Sequence, residues 1–256
     1  MKRFRSSIPF FVSAAAFASL TFVATTPAQA ATIKHTFTVP NPTKFPQTVI
    51  SAIKTNTKVP VILPQAIRLD KQLPKGTSLA ADVDVSSNQY GMDIFERPTG
   101  SSTSQYANST LIGYIGTTTL SAENGYYGHD KSIFKHKSAI KIQGSISAVE
   151  YTTGGNTAGG RLITWHENGW TYTSSGYPPS DGYNTTLGMA NQIASYVRKR
   201  GVVVPHARRG YVDALSLGNR PDYHVTWTYN GRVWYMVDLV TLSETLNTAH
   251  SVAVVL

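Results

Sequence analysis

The chain has 256 residues, 23 Lys and Arg against 14 Asp and Glu for a formal charge of +9, and no cysteine. The missing cysteine excludes disulfides, thiolate metal sites, thiol nucleophiles and lipidation at a signal-peptide junction. The basic excess favours anionic neighbours such as wall polymers, lipid headgroups or acidic polysaccharide, and specifies none of them.

Residues 1–30 read as an export signal. "MKRFRSS" is a positive n-region, "IPFFVSAAAFASLTFVAT" an apolar core, and "AQA" at 28–30 places small residues at −3 and −1. Cleavage is expected after Ala30. Of 256 residues, removal of the first 30 leaves 226, and loss of Lys2, Arg3 and Arg5 takes the charge from +9 to +6. No other apolar run is long enough to span a bilayer, so a secreted, extracytoplasmic protein is expected, with no transmembrane segment after cleavage. That compartment argues against nucleic acid as a partner.

Residues 31–64 form a proline-rich N-terminal arm, with prolines at 40, 42, 46, 60 and 64. One short helix is predicted inside it. Val49, Ile50 and Ile53 fall on one face, and Pro46 suits its first turn. The apolar "VPVIL" favours ordered packing. Residues 65–256 are expected to form the main domain.

"SLAADVDVS" and "YGMDIFE" alternate as strands, the second placing Tyr90, Met92 and Ile94 on one face and Asp93 on the other. Residues 99–110 read as a loop. "LIGYIGTTTL" and "AIKIQGSISAVEY" are further strands, joined by the long connection "SAENGYYGHDKSIFKHK". "TTGGNTAGG" at 152–160 reads as a flexible tip. It lacks the Gly-Lys-Ser/Thr ending of a phosphate loop. The clearest helix is "NTTLGMANQIASYVRKRG", with Leu187, Ala190, Ile193, Ala194 and Val197 along one stripe. Asn184 or Thr185 can cap it, and Gly201 suits a left-handed stop.

"LITWHENGWTY" brings His166 beside Glu167, next to Asn168–Gly169, a two-residue pair that favours a type I′ turn. That turn sets Glu167 against Trp170, His166 against Thr171 and Trp165 against Tyr172. Side chains alternate along a strand, so His166 and Glu167 fall on opposite faces and cannot serve one substrate together. The zincin helix motif also fails, because position 170 is Trp170. Asn230–Gly231 predicts a second hairpin with Trp227 opposite Trp234 and Val225 opposite Met236. Two such hairpins around one amphipathic helix define the expected fold class: α+β, a mainly antiparallel β-sheet with one or two packed helices.

The hairpin residues Trp165, Glu167, Gly169 and Tyr172 match a Trp-x-Glu-x-Gly-x-x-Tyr pattern. With a following helix and "VPVILP" upstream, the stretch 59–240 resembles secreted and extracytoplasmic domains of Gram-positive spore-forming bacteria, some of them attached to anti-sigma or sporulation membrane segments. The resemblance implies a non-catalytic extracytoplasmic module. A cleavable signal without a membrane segment departs from that pattern and argues against transmembrane signalling.

Two surfaces are candidates for ligand binding. Trp165, Trp170 and Tyr172, with Glu167 on the same face, offer rings that can stack on a glycan; equally, such rings serve as core or cross-strand pairs. Arg198, Arg200, Arg208 and Arg209, with Lys199 and His206, form the densest basic cluster. It suits an anionic cell-wall polymer, or else complements the negative end of a helix dipole. A looser basic group comprises Lys131, Lys135, His136, Lys137 and Lys141. No metal site, cofactor or catalytic motif is read: Gly-x-Ser-x-Gly is absent, and the scattered acids, Asp82, Asp84, Asp93, Glu96, Glu150, Glu167 and Asp238 among them, show no diagnostic pairing. The expected function is a secreted, non-catalytic binding module for an anionic or glycan ligand at the envelope. The alternatives are a wall or polysaccharide hydrolase using a carboxylate pair brought together by the fold, and a regulatory domain binding a protein partner. Sequence sets no oligomeric state.

Overall fold

The computed structural model describes residues 33–39, 45–100, 109–118, 135–153, 160–177, 182–201, 203–217, 220–229 and 233–254. Residues 1–30, expected to be an export signal, lie outside the described residues, together with Pro40 and Pro42, the expected tip at 154–159, Lys131, the expected Asn230–Gly231 turn, the side chain of Asn184 and most of the connection and loop expected near 121–134 and 101–108.

Among the described residues thirteen strands and three helices follow in chain order: β1 (Ile33–Val39), α1 (Gln47–Asn56), β2 (Ile62–Pro64), β3 (Thr77–Ser86), β4 (Gln89–Pro98), β5 (Thr110–Thr118), β6 (His136–Ile142), β7 (Ile146–Thr152), β8 (Arg161–Glu167), β9 (Trp170–Tyr177), α2 (Gly182–Arg200), β10 (Gly210–Leu217), β11 (Arg220–Tyr229), β12 (Val233–Leu239), α3 (Leu242–His250) and β13 (Val252–Val254). Eleven strands make one sheet in the order β1-β3-β4-β5-β12-β11-β10-β9-β8-β7-β6, and β2 pairs with β13. The α+β class and the antiparallel-rich sheet are therefore present, with three helices rather than one or two. Among the described residues β9 and β10 form the one parallel ladder. The reason is topological: parallel neighbours need a crossover connection, and α2 supplies it. No described helix is long and apolar enough to cross a membrane.

Alternation along the strands sends most of the apolar residues to one face. Leu79, Ala81, Val83 and Val85 of β3, and Tyr90, Met92 and Ile94 of β4, are buried there, while Asp84 and Asp93 are exposed on the other. The helices add their apolar stripes to the same core: Val49 and Ile53 from α1; Met189, Ala190, Ile193, Ala194 and Val197 from α2; Leu242, Leu246 and Ala249 from α3. The proline-rich segment contributes β1 at the sheet edge and β2, which pairs with β13, as well as α1. On α2, Thr186 rather than Leu187 takes the most buried place in the first turns, where its carbonyl accepts a hydrogen bond from Ser174 Oγ at 2.7 Å. Gly201 ends the helix in the left-handed region at φ 87°, its N–H donating to Val197 O.

The β8–β9 hairpin has the expected register, with Glu167 opposite Trp170, His166 opposite Thr171 and Trp165 opposite Tyr172. Asn168 and Gly169 adopt φ of 52° and 81°, as a type I′ turn demands. The second hairpin departs by one residue: Tyr229 pairs with Val233, which leaves three residues, 230–232, in the connection. Trp227 consequently faces Tyr235, and Val225 faces Val237. The slip puts Tyr235 on the core face, where its ring stacks on Trp227 at 5.8 Å, and sends Trp234 and Met236 to the other side. The expected strand "AIKIQGSISAVEY" is in fact a hairpin, reversing through Gln143 and Gly144 at φ 48° and 70°. Helix α3 follows a capping signal: Thr241 Oγ1 accepts the Glu244 N–H at 3.1 Å.

The two positive-φ hairpin glycines give a paired prediction. A Cβ on Gly169 would lie 2.5 Å from the Arg208 carbonyl oxygen, whereas one on Gly144 would meet nothing within 4 Å. Gly144→Ala should cost about 1 kcal/mol from backbone conformation alone, and Gly169→Ala measurably more. Equal urea midpoints for the two variants would refute the close contact.

Candidate functional site

The aromatic stripe is inside the protein. Trp165 is 2% exposed, and Trp170 and Tyr172 are 1% exposed. Trp165 stacks on Tyr172 at 5.1 Å, and Trp170 lies 6.5 Å from the same ring. Strands β8 and β9 turn these rings into the core that α2 covers, so they present no open stacking surface. Each such pair is worth about 0.5–1.5 kcal/mol beyond burial. Burial pushes the Tyr172 hydroxyl well above its ordinary range, and the charge of Glu167 adds to the effect. Glu167 shares this face at its rim, and its Oε2 has no hydrogen-bond partner among the described residues. His166 is exposed on the opposite face, 2.9 Å from Thr171 Oγ1.

The basic cluster divides. Arg198 is bound to the β6–β7 turn through Gln143 O at 3.3 Å and Ser145 Oγ. Arg208 and Arg209 are exposed beside the β8–β9 turn. Arg200, at the end of α2, lines a cavity of about 460 Å³ with Arg68, Leu69, Asp70, Asn247, His250 and Ser251. Tyr196 fixes the helices around it, donating to Leu246 O at 3.0 Å and meeting the His250 ring edge-on at 6.2 Å. Burial pushes the Tyr196 hydroxyl up to about 12, against the opposing pull of Arg200. The cavity's carboxylate, Asp70, accepts hydrogen bonds from Thr241 Oγ1 at 2.7 Å and Ser243 Oγ at 2.9 Å. It thereby fastens the start of α3. Neither Arg68 nor Arg200 is ion-paired among the described residues.

The sheet face turned away from the helices carries a second constellation. The registers align Asp82 (β3), Asp93 (β4), Tyr114 (β5), Asp238 (β12), His224 (β11), Asp213 (β10), Thr173 (β9) and Thr164 (β8) as direct cross-strand neighbours in one polar row. At its centre, His224 Nε2 is 3.2 Å from Asp222 Oδ1, and His224 Nδ1 is 3.4 Å from Asp238 Oδ2. Burial by itself would lower the His224 pKa. The hydrogen bond with Asp222 and the charges of Asp238, Asp222 and Asp213 together outweigh it and hold the imidazole above its usual value. Burial pushes the Asp238 carboxyl up to about 7; His224 opposes that rise and Asp222 reinforces it. Further along, Asp82 is ion-paired with Arg97 at 3.0 Å. Phe95, Leu162, Leu215 and Met236 are buried on this face yet lie outside the main core.

Sequence reading missed this constellation and the cavity arginine Arg68. Each acid or histidine of the row does occupy the polar phase of an alternating strand. The row itself requires the strand order, which no spacing reveals: β5 enters between β4 and β12, more than a hundred residues away from the latter. Comparison of the chain with known protein families, characterised proteins and solved structures finds no match.

If the rings serve the core, Trp165→Ala should lower unfolding free energy by about 3–5 kcal/mol. Glu167→Gln should leave stability within about 1 kcal/mol of the parent or raise it, because the carboxylate it replaces has a buried oxygen with no hydrogen-bond partner among the described residues. Chemical denaturation measures both; a large loss in Glu167→Gln would reveal a structural or functional tie for that carboxylate.

Proposed function

We propose that the protein is a secreted, non-catalytic binding module that acts at the cell envelope or in its surroundings, and that it holds an anionic group of a polymer in the cavity between the ends of α2 and α3. The observation that carries this reading is the lining: two arginines with no ion pair among the described residues, and a histidine, around about 460 Å³. The one carboxylate present, Asp70, is occupied by two hydroxyls. That volume lies within the range of ligand pockets, roughly 300–1,000 Å³. A guanidinium presents a planar fork that matches phosphate and carboxylate, and it keeps its charge at any physiological pH. Net basicity and an export signal make the same ligand class the expected neighbour. With Trp165, Trp170 and Tyr172 buried, the glycan-stacking form of the reading has no exposed stripe to use, so the anionic form is favoured.

The test is retention of the mature protein on purified cell wall and on immobilised polyphosphate or acidic polysaccharide, at low and high salt. Arg68→Ala and Arg200→Ala should each weaken retention about tenfold at low salt, equivalent to roughly 1.4 kcal/mol per arginine. Arg208→Ala with Arg209→Ala should change it little. Loss confined to the Arg208/Arg209 variant would move the site to the hairpin tip. Release of soluble fragments from the wall would replace binding with hydrolysis.

A further inference from the structure

We propose that Asp222, His224 and Asp238 form a binding site for a divalent transition-metal ion of the zinc or manganese class, with Asp213 at its margin. The argument begins with strand geometry. β10, β11 and β12 are adjacent, and Asp213, His224 and Asp238 are direct partners across them. Asp222 precedes His224 by two residues and so points to the same face. Four ligand-type side chains therefore converge on one patch from three strands of a continuous sheet. Strands are rigid supports, which is what a metal site needs from its scaffold.

The distances fit. One donor atom from each of Asp222, His224 and Asp238 can be chosen so that all lie within 4.8 Å of one another. The two His–Asp separations are 3.2 and 3.4 Å. Ligands about 2.0–2.1 Å from a tetrahedral ion stand roughly 3.3 Å apart, which matches the His224 Nε2–Asp222 separation, while Asp238 faces the other ring nitrogen. The two carboxylates address different ring nitrogens, and metal-binding histidines are ordinarily held in that way. Here Nε2 and Asp222 would take the ion, and Asp238, 3.4 Å from Nδ1, would hold the ring from its other side. The imidazole side chain is 6% exposed while those of Asp222 and Asp238 are 29% and 26% exposed, which leaves a way in from solvent.

The donor set selects the ion. Carboxylates with one imidazole suit zinc, manganese or ferrous iron. Calcium prefers six to eight oxygens, and copper(I) prefers the thiolates that this chain lacks.

The proposal is tested on the untagged mature protein after chelation, titrated calorimetrically with Zn²⁺ and with Mn²⁺. One ion should bind per chain. Zn²⁺ at about 100 times its Kd should raise Tm by roughly 5–10 °C. Asp222→Asn and Asp238→Asn should each weaken binding at least about 10–100-fold, and His224→Asn should abolish it. Where His224→Asn does not fold, substoichiometric Mn²⁺ on the unaltered protein answers the same question. It should broaden the ring resonances of His224 before those of the other six histidines. Failure to bind an ion, binding that both Asp variants retain, or prior broadening of another histidine would overturn the site and leave His224 as a structural counter-charge to its neighbours. Retention on wall polymer through Arg68 and Arg200 is a separate measurement, and neither result depends on the other.

Discussion

The constraint from which the rest of this structure follows is the two-residue period of a β-strand applied across eleven laterally paired strands. Every residue of the sheet belongs to one face or the other, and neighbouring strands must agree on which. Because the chain has no disulfide, one face must gather enough apolar surface to support the fold. That face takes Val83, Met92, Ile115, Val237, Val225, Val212, Tyr172 and Ile163 from successive strands, and all three helices place their apolar stripes against it. The polar residues are thereby forced into register on the other face. The Asp–His row follows from a well-ordered core as much as from any selection for polarity.

The rings show how tightly that core is specified. Trp165, Trp170 and Tyr172 on one hairpin and Trp227 and Tyr235 on the other are each at most 3% exposed. Two buried tyrosine hydroxyls are matched to backbone groups: Tyr235 Oη donates to Pro60 O at 2.9 Å, and Tyr90 Oη donates to Ile62 O at 2.6 Å while accepting from Ile62 N at 2.8 Å. These bonds tie the proline-rich segment around β2 to the middle of the sheet. A one-residue slip between β11 and β12 would exchange Tyr235 for Trp234 and break both the stack and the bond to Pro60. This explains why the longer three-residue connection prevails over the tight two-residue turn that Asn230–Gly231 suggests. Local turn preference is worth less than a buried ring with a satisfied hydroxyl.

Legibility in the sequence followed the range of the interaction concerned. The β8–β9 register, the separation of His166 from Glu167, the stop at Gly201 and the amphipathic face of α1 depend on neighbours a few residues apart, and each could be read. The β6–β7 reversal was hidden because Gln143 takes a positive φ that its residue type does not advertise. Helix α3 did carry a local signal, Thr241 followed by Glu244, in a stretch too short for its periodicity to stand out. The candidate sites belong to the other extreme. Arg68 and Arg200 meet only because α3 returns to the segment after β2, where Arg68 N donates to Thr248 Oγ1 at 2.9 Å. Asp213, His224 and Asp238 meet only through strand order. A sequence read one element at a time saw these residues as single polar positions on amphipathic strands, which locally they are.

Charge gives the two proposed sites opposite characters, and the fold keeps them apart. Asp82, Asp84, Asp93, Asp213, Asp222 and Asp238 all project from the face away from the helices, six of the fourteen acids in a chain whose net charge is positive. Arg68 and Arg200 stand at the helix side, at the ends of α2 and α3. An anionic polymer lying along the acidic row would meet repulsion from several carboxylates at once, beyond what Arg97, already paired with Asp82, can offset. The same polymer at the cavity would meet two guanidinium groups that have no ion pair among the described residues. A small cation experiences the reverse preference. Net charge alone suggested a single class of partner; its distribution over the two faces of one sheet makes room for two, of opposite sign, without either competing for the other's residues.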